Sequence, residues 1–375
     1  MIIIIFSITV LYLLLIGSFI YGFDKVNDFK LEESQPQTKF SVIIPFRNEA
    51  KNLQALIQSI SHLNYPKSMF EILLINDDST DDSVERIKQE LMLNTSLDTA
   101  ILINERLTKA PKKDAISKGI LHAKYDWIVT TDADCQLPTY WLDCYDHFIK
   151  NTSSKVLAAP VTFKKATSFL ERFQLLDMMS LQGATIGGFG IKKPFLCNGA
   201  NFAYKKSFFN EVKGFEGNTN IASGDDIFLL EKAFKHDKNN IRYIKSNQIT
   251  VTTTPQSSFK SLKSQRVRWA AKTSRYKNAF GKLTGFLVLV MNALLVCLPL
   301  LFFVEIVSLK TLVYTIAIKL MIDFLLLFKT ARFLEQEQYL VSYFLSSILY
   351  PFFSVYVAFL SVFKGYKWKD RAYTK

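Results

Sequence analysis

Cysteine and histidine are scarce, and neither is arranged for a scaffold or a metal. The four cysteines, Cys135, Cys144, Cys197 and Cys297, show no C-x-x-C or framework spacing, as expected in a reducing compartment. The four histidines form no H-E-x-x-H or similar pattern, which argues against a structural or catalytic zinc. There is no Walker A stretch and no G-x-G-x-x-G after a strand, so neither a P-loop nor a dinucleotide fold is supported. Gly187-Gly188-Phe189-Gly190 has no preceding strand and reads as a flexible loop. No Lys or Arg precedes the apolar run at residues 1–23, and no small-x-small cleavage site follows it. Those two absences argue for a retained anchor over a signal peptide. Internal repeats, low-complexity tracts and Pro/Gly-rich linkers are also missing.

What is present divides unevenly. Of the 375 residues, 49% are hydrophobic, and the long apolar runs lie at the two ends. The expected organisation is a transmembrane helix at 1–23, a cytoplasmic globular domain at 24–284, a C-terminal transmembrane region at 285–363 and a basic tail at 364–375. As a helix the first run is about 30 Å or more long, enough for the hydrocarbon core. Lys25 and Lys30 follow it, which places the body on the cytoplasmic side of an integral membrane protein, the inner membrane if the source is bacterial.

Three later runs, 286–307, 311–328 and 340–363, are each long enough to span. Three crossings from a cytoplasmic start put the tail outside, whereas Lys364, Lys367, Lys369, Arg371 and Lys375 favour inside. One re-entrant or interfacial segment, the one carrying Lys319 and Asp323, reconciles the two signals. The formal charge of +13 is concentrated at 260–282, a stretch with no acid that directly precedes an apolar span. Anionic headgroups account for it better than nucleic acid, for which no binding signature is present.

Between the apolar ends, strand and helix alternate. Residues 40–45, 71–76, 100–104 and 128–131 read as buried strands, and 156–160 as a further short one. Leu53, Leu56, Ile57, Ile60 and Leu63 mark a helix, Val84, Ile87 and Leu91 the next, 113–123 a third, and Pro138 the start of a fourth. The fold class is α/β, a mostly parallel sheet flanked by helices. Residues 167–181 carry Phe169, Phe173, Leu176 and Met179 at helical spacing, equally consistent with a core-facing helix and one lying on the membrane.

Acidic residues collect where such sheets bind ligands, outside the carboxyl ends of strands. Asp132-Ala133-Asp134 ends the fourth strand; two carboxylates at i and i+2 there suit Mg²⁺ or Mn²⁺ with positions left for phosphate oxygens, although a lone D-x-D is also a common turn or cap. Asp77 ends the second strand, where a carboxylate can accept from a nucleobase N–H or a ribose hydroxyl, and Pro45-Phe46-Arg47-Asn48-Glu49 ends the first beside it. Gly224-Asp225-Asp226 opens a helical run, either as acids on a helix dipole or as a general base. Gln265, Arg268 and Trp269 share a helical face, as in an interfacial amphipathic helix or in a site that stacks a ring and grips a diphosphate.

Taken in order, these landmarks together with Gly199-Ala200-Asn201 resemble family-2 glycosyltransferases of the GT-A fold over residues 40–272. The resemblance implies an inverting, metal-dependent transferase with a nucleotide-sugar donor, usually a UDP-sugar. It implies that Pro45, Arg47, Glu49, Asp77, Asp132 and Lys113 (or its neighbour Lys112) hold the nucleotide sugar, and that Asp132 and Asp134 bind Mg²⁺ or Mn²⁺. Asp226 becomes the base and Arg268 its catalytic partner at the leaving group, with Gly199, Asn201, Asp225, Gln265 and Trp269 around acceptor and diphosphate. The Q-x-x-R-W pattern occurs in processive polysaccharide synthases and in lipid glycosyltransferases similar to ceramide glucosyltransferase. The few spans available favour a lipid or lipid-linked acceptor. A short polysaccharide is the alternative product, and a non-catalytic nucleotide-sugar-binding membrane protein the alternative class.

Overall fold

The computed structural model describes residues 1–273, 275–363, 366–368 and 371–373. Lys364, Lys369 and Lys375 of the basic tail lie outside the described residues. The chain forms two compact units. One is Asn27–Lys164 with Cys197–Thr254, the other Met1–Val26 with Lys165–Leu196 and Pro255–Lys375. Residues 165–196 and 255–284 therefore cluster with the apolar helices, although they lie within the stretch the sequence assigns to the catalytic domain.

The first unit is built on strands β1 (Phe40–Phe46), β2 (Phe70–Asn76), β3 (Thr99–Ile103), β4 (Trp127–Thr130), β5 (Val156–Ala158), β6 (Val161–Phe163), β7 (Phe202–Lys205), β8 (Ile241–Tyr243) and β9 (Val251–Thr253). Seven of them form one sheet in the order β3-β2-β1-β4-β7-β5-β8, while β6 and β9 pair separately. The pairs β1–β2, β2–β3, β1–β4 and β5–β8 are parallel; β7 runs antiparallel to β4 and β5. Helices α2 (Leu53–Ser61), α3 (Ser83–Leu93), α4 (Pro111–His122), α5 (Trp141–Lys150), α7 (Lys206–Glu211) and α8 (Asp225–His236) flank this sheet; α1 (Ile2–Lys25) and α6 (Phe169–Gly190) belong to the other unit.

Parallel strands covered on both faces read as continuous apolar runs. Val42, Ile43 and Ile44 of β1 and Ile72, Leu73, Leu74 and Ile75 of β2 are all buried. Burial of each such side chain is worth about 1.5–3 kcal/mol. Leu53, Leu56, Ile57 and Ile60 turn from α2 into this core, with Leu63 just beyond the helix end. On α4, a Cβ at Gly119 would stand 2.8 Å from Ile43 Cγ2, so only glycine lets this helix lie so close to β1. The helix expected from Pro138 begins three residues later, because the Trp141 N–H first closes a turn on the Pro138 carbonyl.

The chain adds β2 and β3 on one side of β1 and then returns to its other side with β4. That reversal opens a crevice at the carboxyl ends of β1 and β4, the ligand-binding position of open α/β sheets.

The second unit consists of α1 (Ile2–Lys25), α6 (Phe169–Gly190), α9 (Phe259–Thr273), α10 (Ala279–Phe303), α11 (Leu309–Phe333) and α12 (Tyr343–Phe363), with a short hairpin of β10 (Tyr366–Trp368) and β11 (Arg371–Tyr373). Among the described residues, four helices are long and apolar enough to cross a membrane: Ile2–Lys25, Ala279–Phe303, Leu309–Phe333 and Glu337–Phe363. Their outer faces expose large apolar side chains such as Leu14, Phe286, Leu300, Met321 and Phe359, a surface suited to lipid.

Two expectations change here, and an open alternative is resolved. The segment carrying Lys319 and Asp323 does not turn back; it is one continuous helix, α11. Its charges are matched internally: Lys319 Nζ lies 2.7 Å from Asp323 Oδ2, and Tyr12 of α1 donates to Asp323 Oδ1 at 2.7 Å. Pairing is the condition under which ionisable groups are tolerated at such positions. Residues 187–190 are not a loop but the last turn of α6. Glycine is needed there for helix crossing, since a Cβ on Gly190 would lie 1.8 Å from the Gly22 carbonyl of α1. Finally, α6 starts in a Ser168–Glu171 capping box and buries Phe173, Leu176 and Met179. Phe173 packs on Tyr350 and Phe353 of α12, so this helix faces protein.

Candidate functional site

The loops after β1 and β2 are knitted together at the crevice. Asn48 and Asp78 both adopt left-handed backbone, at φ 50° and 60°, a conformation these two residue types tolerate better than most. Asn48 Oδ1 accepts from the Thr80 N–H at 2.8 Å, and the Asn48 N–H donates to Ser79 Oγ at 3.1 Å. Arg47 donates through Nη1 to the Asp77 carbonyl at 2.8 Å and to the Asp78 carbonyl. The Glu49 carboxylate turns back to Asn52 at 2.6 Å, and the Glu49 N–H donates to Ser83 Oγ. Pro45 is the sixth residue of β1, in register with Ile75, and shapes the strand end.

Asp77 is buried at the end of β2. Its Oδ1 accepts from Asn104 Nδ2 at 2.8 Å and from Arg106 Nε at 2.9 Å. Arg106 also reaches Asp78, 2.6 Å away, and together with Arg47 it holds the exposed Asp78 carboxyl below its ordinary pKa. Asn104 and Arg106 escape sequence reading. Their only signal is position, just past the end of β3 and so on the same rim.

The acids of the D-x-D segment alternate with core residues. Ala133 and Cys135 are buried, while Asp132 and Asp134 are only half-buried and share the other face. Burial, with Asp134 and Asp132 adding to it, pushes the Cys135 thiol well up, which makes it inert. Asp132 does not stand alone: Lys112 Nζ lies 2.7 Å from its Oδ1 and 3.4 Å from Asp225 Oδ2. Burial disfavours the ammonium, but Asp132, Asp225 and Asp226 outweigh it and raise the Lys112 pKa.

This corrects the lysine assignment. Lys113, expected at the nucleotide, is buried, donates to the carbonyls of Asn218 and Ile221 at 2.8 and 2.9 Å, and lies 4.7 Å from the Phe228 ring centre. It latches the segment before α8, while Lys112 reaches the acids.

Gly224, at φ 83°, turns the chain into α8 so that Asp225 and Asp226 occupy its first turn. Asp225 is buried near Lys112; Asp226 is half-buried and accepts from the N–H groups of Gly199 at 3.0 Å and Ile227 at 2.7 Å. A Cβ on Gly199 would meet Asp225 Oδ2 at 3.0 Å, so glycine permits the approach.

Asn201, expected beside the acceptor, is a structural clasp instead. Its Oδ1 accepts from Trp141 Nε1 and Tyr145 OH at 2.8 and 2.9 Å, and its Nδ2 donates to the carbonyls of Pro160 and Ile249, each at 2.8 Å. All its hydrogen-bonding capacity is used, and it is fully buried. Asn201→Ala strands two donors and two carbonyls. We expect a loss of about 3 kcal/mol or more, read as a lowered thermal midpoint of the detergent-solubilised protein, with nucleotide affinity unchanged below that midpoint.

Gln265, Arg268 and Trp269 lie on α9 in the helical unit, all half-exposed. The arginine that turns inward there is Arg266.

Asp132, Asp134, Asp225, Asp226 and Lys112 thus sit at the rim of one sheet. Among the described residues no group of three or more Asp, Glu, His or Cys could cage a metal ion. A two-carboxylate site that leaves other positions to phosphate and water fits Mg²⁺ or Mn²⁺ without one.

Comparison with known proteins agrees with this geometry. Residues 41–213 match Glycosyl transferase family 2. The chain is 24% identical over 195 residues to the glycosyltransferase AglE of Haloferax volcanii, covering 52% of this chain and 60% of that one. It is 27% identical over 178 residues to the poly-beta-1,6-N-acetyl-D-glucosamine synthase of Staphylococcus epidermidis, covering 45% and 41%. The chain thus spans about half the length of these curated relatives. The mannosyltransferase PcManGT of Pyrobaculum calidifontis, solved with GDP-Man and Mn²⁺, superposes with a TM-score of 0.56 at 16% identity over 96% of both chains. With a sheet that reverses at β1, acids along its carboxyl rim and this match over β1 to α7, the chain carries a glycosyl transferase family 2 domain of the GT-A fold.

Proposed function

We propose that the protein is an inverting, membrane-anchored glycosyltransferase that moves a sugar from a nucleotide-sugar donor, a UDP-sugar first of all, to a lipid or lipid-linked acceptor at the cytoplasmic face. The observation that carries this reading is the convergence of Asp132, Asp225 and Asp226 on Lys112 at the switch point of a family 2 domain. Four long apolar helices support the membrane setting, and Lys25 at the end of α1 supports the cytoplasmic side.

Asp77, already an acceptor for Asn104 and Arg106, offers its carboxylate to a nucleobase N–H or a ribose hydroxyl. Arg47 and Arg106 brace that loop through Asp78. Asp132 and Asp134 would hold Mg²⁺ or Mn²⁺, which supplies positive charge to the departing diphosphate. Lys112 adds a cation of the chain's own at the same rim. Asp226 accepts the proton of the acceptor hydroxyl as that oxygen attacks the anomeric carbon, and the nucleoside diphosphate leaves. Arg268, Gln265 and Trp269 keep the roles their motif implies, toward diphosphate and acceptor.

The test is nucleotide release by the detergent-purified chain with a panel of UDP-sugars, then GDP- and dTDP-sugars, with and without Mn²⁺ and added membrane lipid. Divalent-metal-dependent turnover of one donor, stimulated by lipid, is the expected result. Nucleotide binding with no turnover in any combination would favour the non-catalytic alternative. A processive product would appear as polymer of increasing length.

A further inference from the structure

On a helix whose sequence is strongly basic, Arg266 faces inward and is 6% exposed. Its Nε lies 2.6 Å from Asp177 Oδ2 of α6. Its Nη1 donates to Gln265 Oε1 at 2.5 Å, and its guanidinium sits 4.2 Å from the Trp269 ring centre. One side chain thereby grips both Gln265 and Trp269. Because arginine can only donate, Gln265 must turn its oxygen inward, which leaves its NH₂ group to donate elsewhere. The guanidinium over its face holds the indole by a cation–π contact.

A buried ion pair of this kind is a poor device for stability alone, since apolar replacements of similar volume often do as well or better. Short, charge-assisted bonds are instead directional. We propose that Asp177 is a positioning residue for sugar transfer: by orienting Arg266 it presents the Gln265 amide and the Trp269 ring in the geometry the reaction needs. The inference rests on the proposed roles of Gln265 and Trp269; the Asp177–Arg266–Trp269 clamp itself is testable without any turnover.

Three full-length variants test it: Asp177→Asn, Arg266→Lys and the double Asp177→Leu/Arg266→Met. The lysine variant keeps a cation for Asp177 but lacks the planar fork, and the double variant removes both charges and so remains able to fold. Each is compared with its Trp269→Phe counterpart, so that acrylamide quenching of Trp269 is obtained by difference. All three should show Trp269 quenching raised about twofold and kcat lowered about 10–100-fold, with nucleotide affinity within about twofold of the parent, as for a misplaced positioning group. A double variant with parental quenching and parental kcat would make the pair merely structural and overturn the proposal. So would loosened Trp269 with unchanged kcat. If the parent itself transfers no sugar, the functional reading fails first, and unchanged quenching would additionally remove the clamp.

Discussion

Asp134→Asn is expected to lower sugar transfer by about 10³-fold or more while leaving the protein folded. The substitution is isosteric and lies outside the core, because Asp134 alternates with the buried Ala133 and Cys135. What changes is charge. Of the two D-x-D carboxylates proposed to hold a divalent cation, Asp132 is engaged by Lys112 at 2.7 Å, and Asp134 supplies the second charge. Stabilising a leaving diphosphate by such a cation is worth several kcal/mol, hence the size of the effect. Chelation of divalent metal from the parent should reproduce it, and raised Mn²⁺ should partly rescue the variant. Asp132→Asn should be at least as severe, because it also releases Lys112 toward Asp225, 3.4 Å away. The measurement is initial nucleotide release across a Mn²⁺ titration. Parental rates in Asp134→Asn, or a parent indifferent to chelator, would remove the metal from this mechanism.

Much of this rim can be read from the chain because it follows strand ends. Phe40, Phe70 and Trp127 share a register line across β1, β2 and β4, and apolar runs buried on both faces announce such strands without any periodicity. The acids that follow them are then placed by topology. Legibility fails where rotation about a helix or burial decides. Lys112 and Lys113 are neighbours in α4, yet one faces the acids and the other is locked on Asn218 and Ile221; successive helix positions point about 100° apart. Arg266 and Arg268 divide in the same way on α9. Asn201 is conspicuous in sequence, but nothing local tells that Trp141, Tyr145, Pro160 and Ile249 will surround it. Gly187, Gly188 and Gly190 signal a break to any local rule; the reason for Gly187 and Gly190 is the backbone of α1 lying against α6.

Asp226→Asn should lower kcat by about 10²–10⁴-fold, the usual worth of a general base, with nucleotide affinity within about twofold of the parent. Two acids compete for that role, and their surroundings differ. Asp225 is buried and faces the Lys112 ammonium, so its charge is already committed. Asp226 is only half-buried, and the N–H groups of Gly199 and Ile227 bond one to each of its oxygens. Backbone donors of this sort orient a carboxylate without blocking every lone pair. Asparagine keeps one acceptor, so one of these two backbone bonds survives at the start of α8 while the other is lost together with proton acceptance. Asp225→Asn should behave differently. It removes a counter-charge from Lys112 and should weaken donor binding more than it slows the chemical step. Single-turnover transfer, run beside nucleotide titrations of both variants, separates the two. If Asp225→Asn stops transfer with binding intact while Asp226→Asn does not, the base is Asp225. If both variants transfer at the parental rate, neither acid is the base, and the proton of the acceptor hydroxyl leaves by another group.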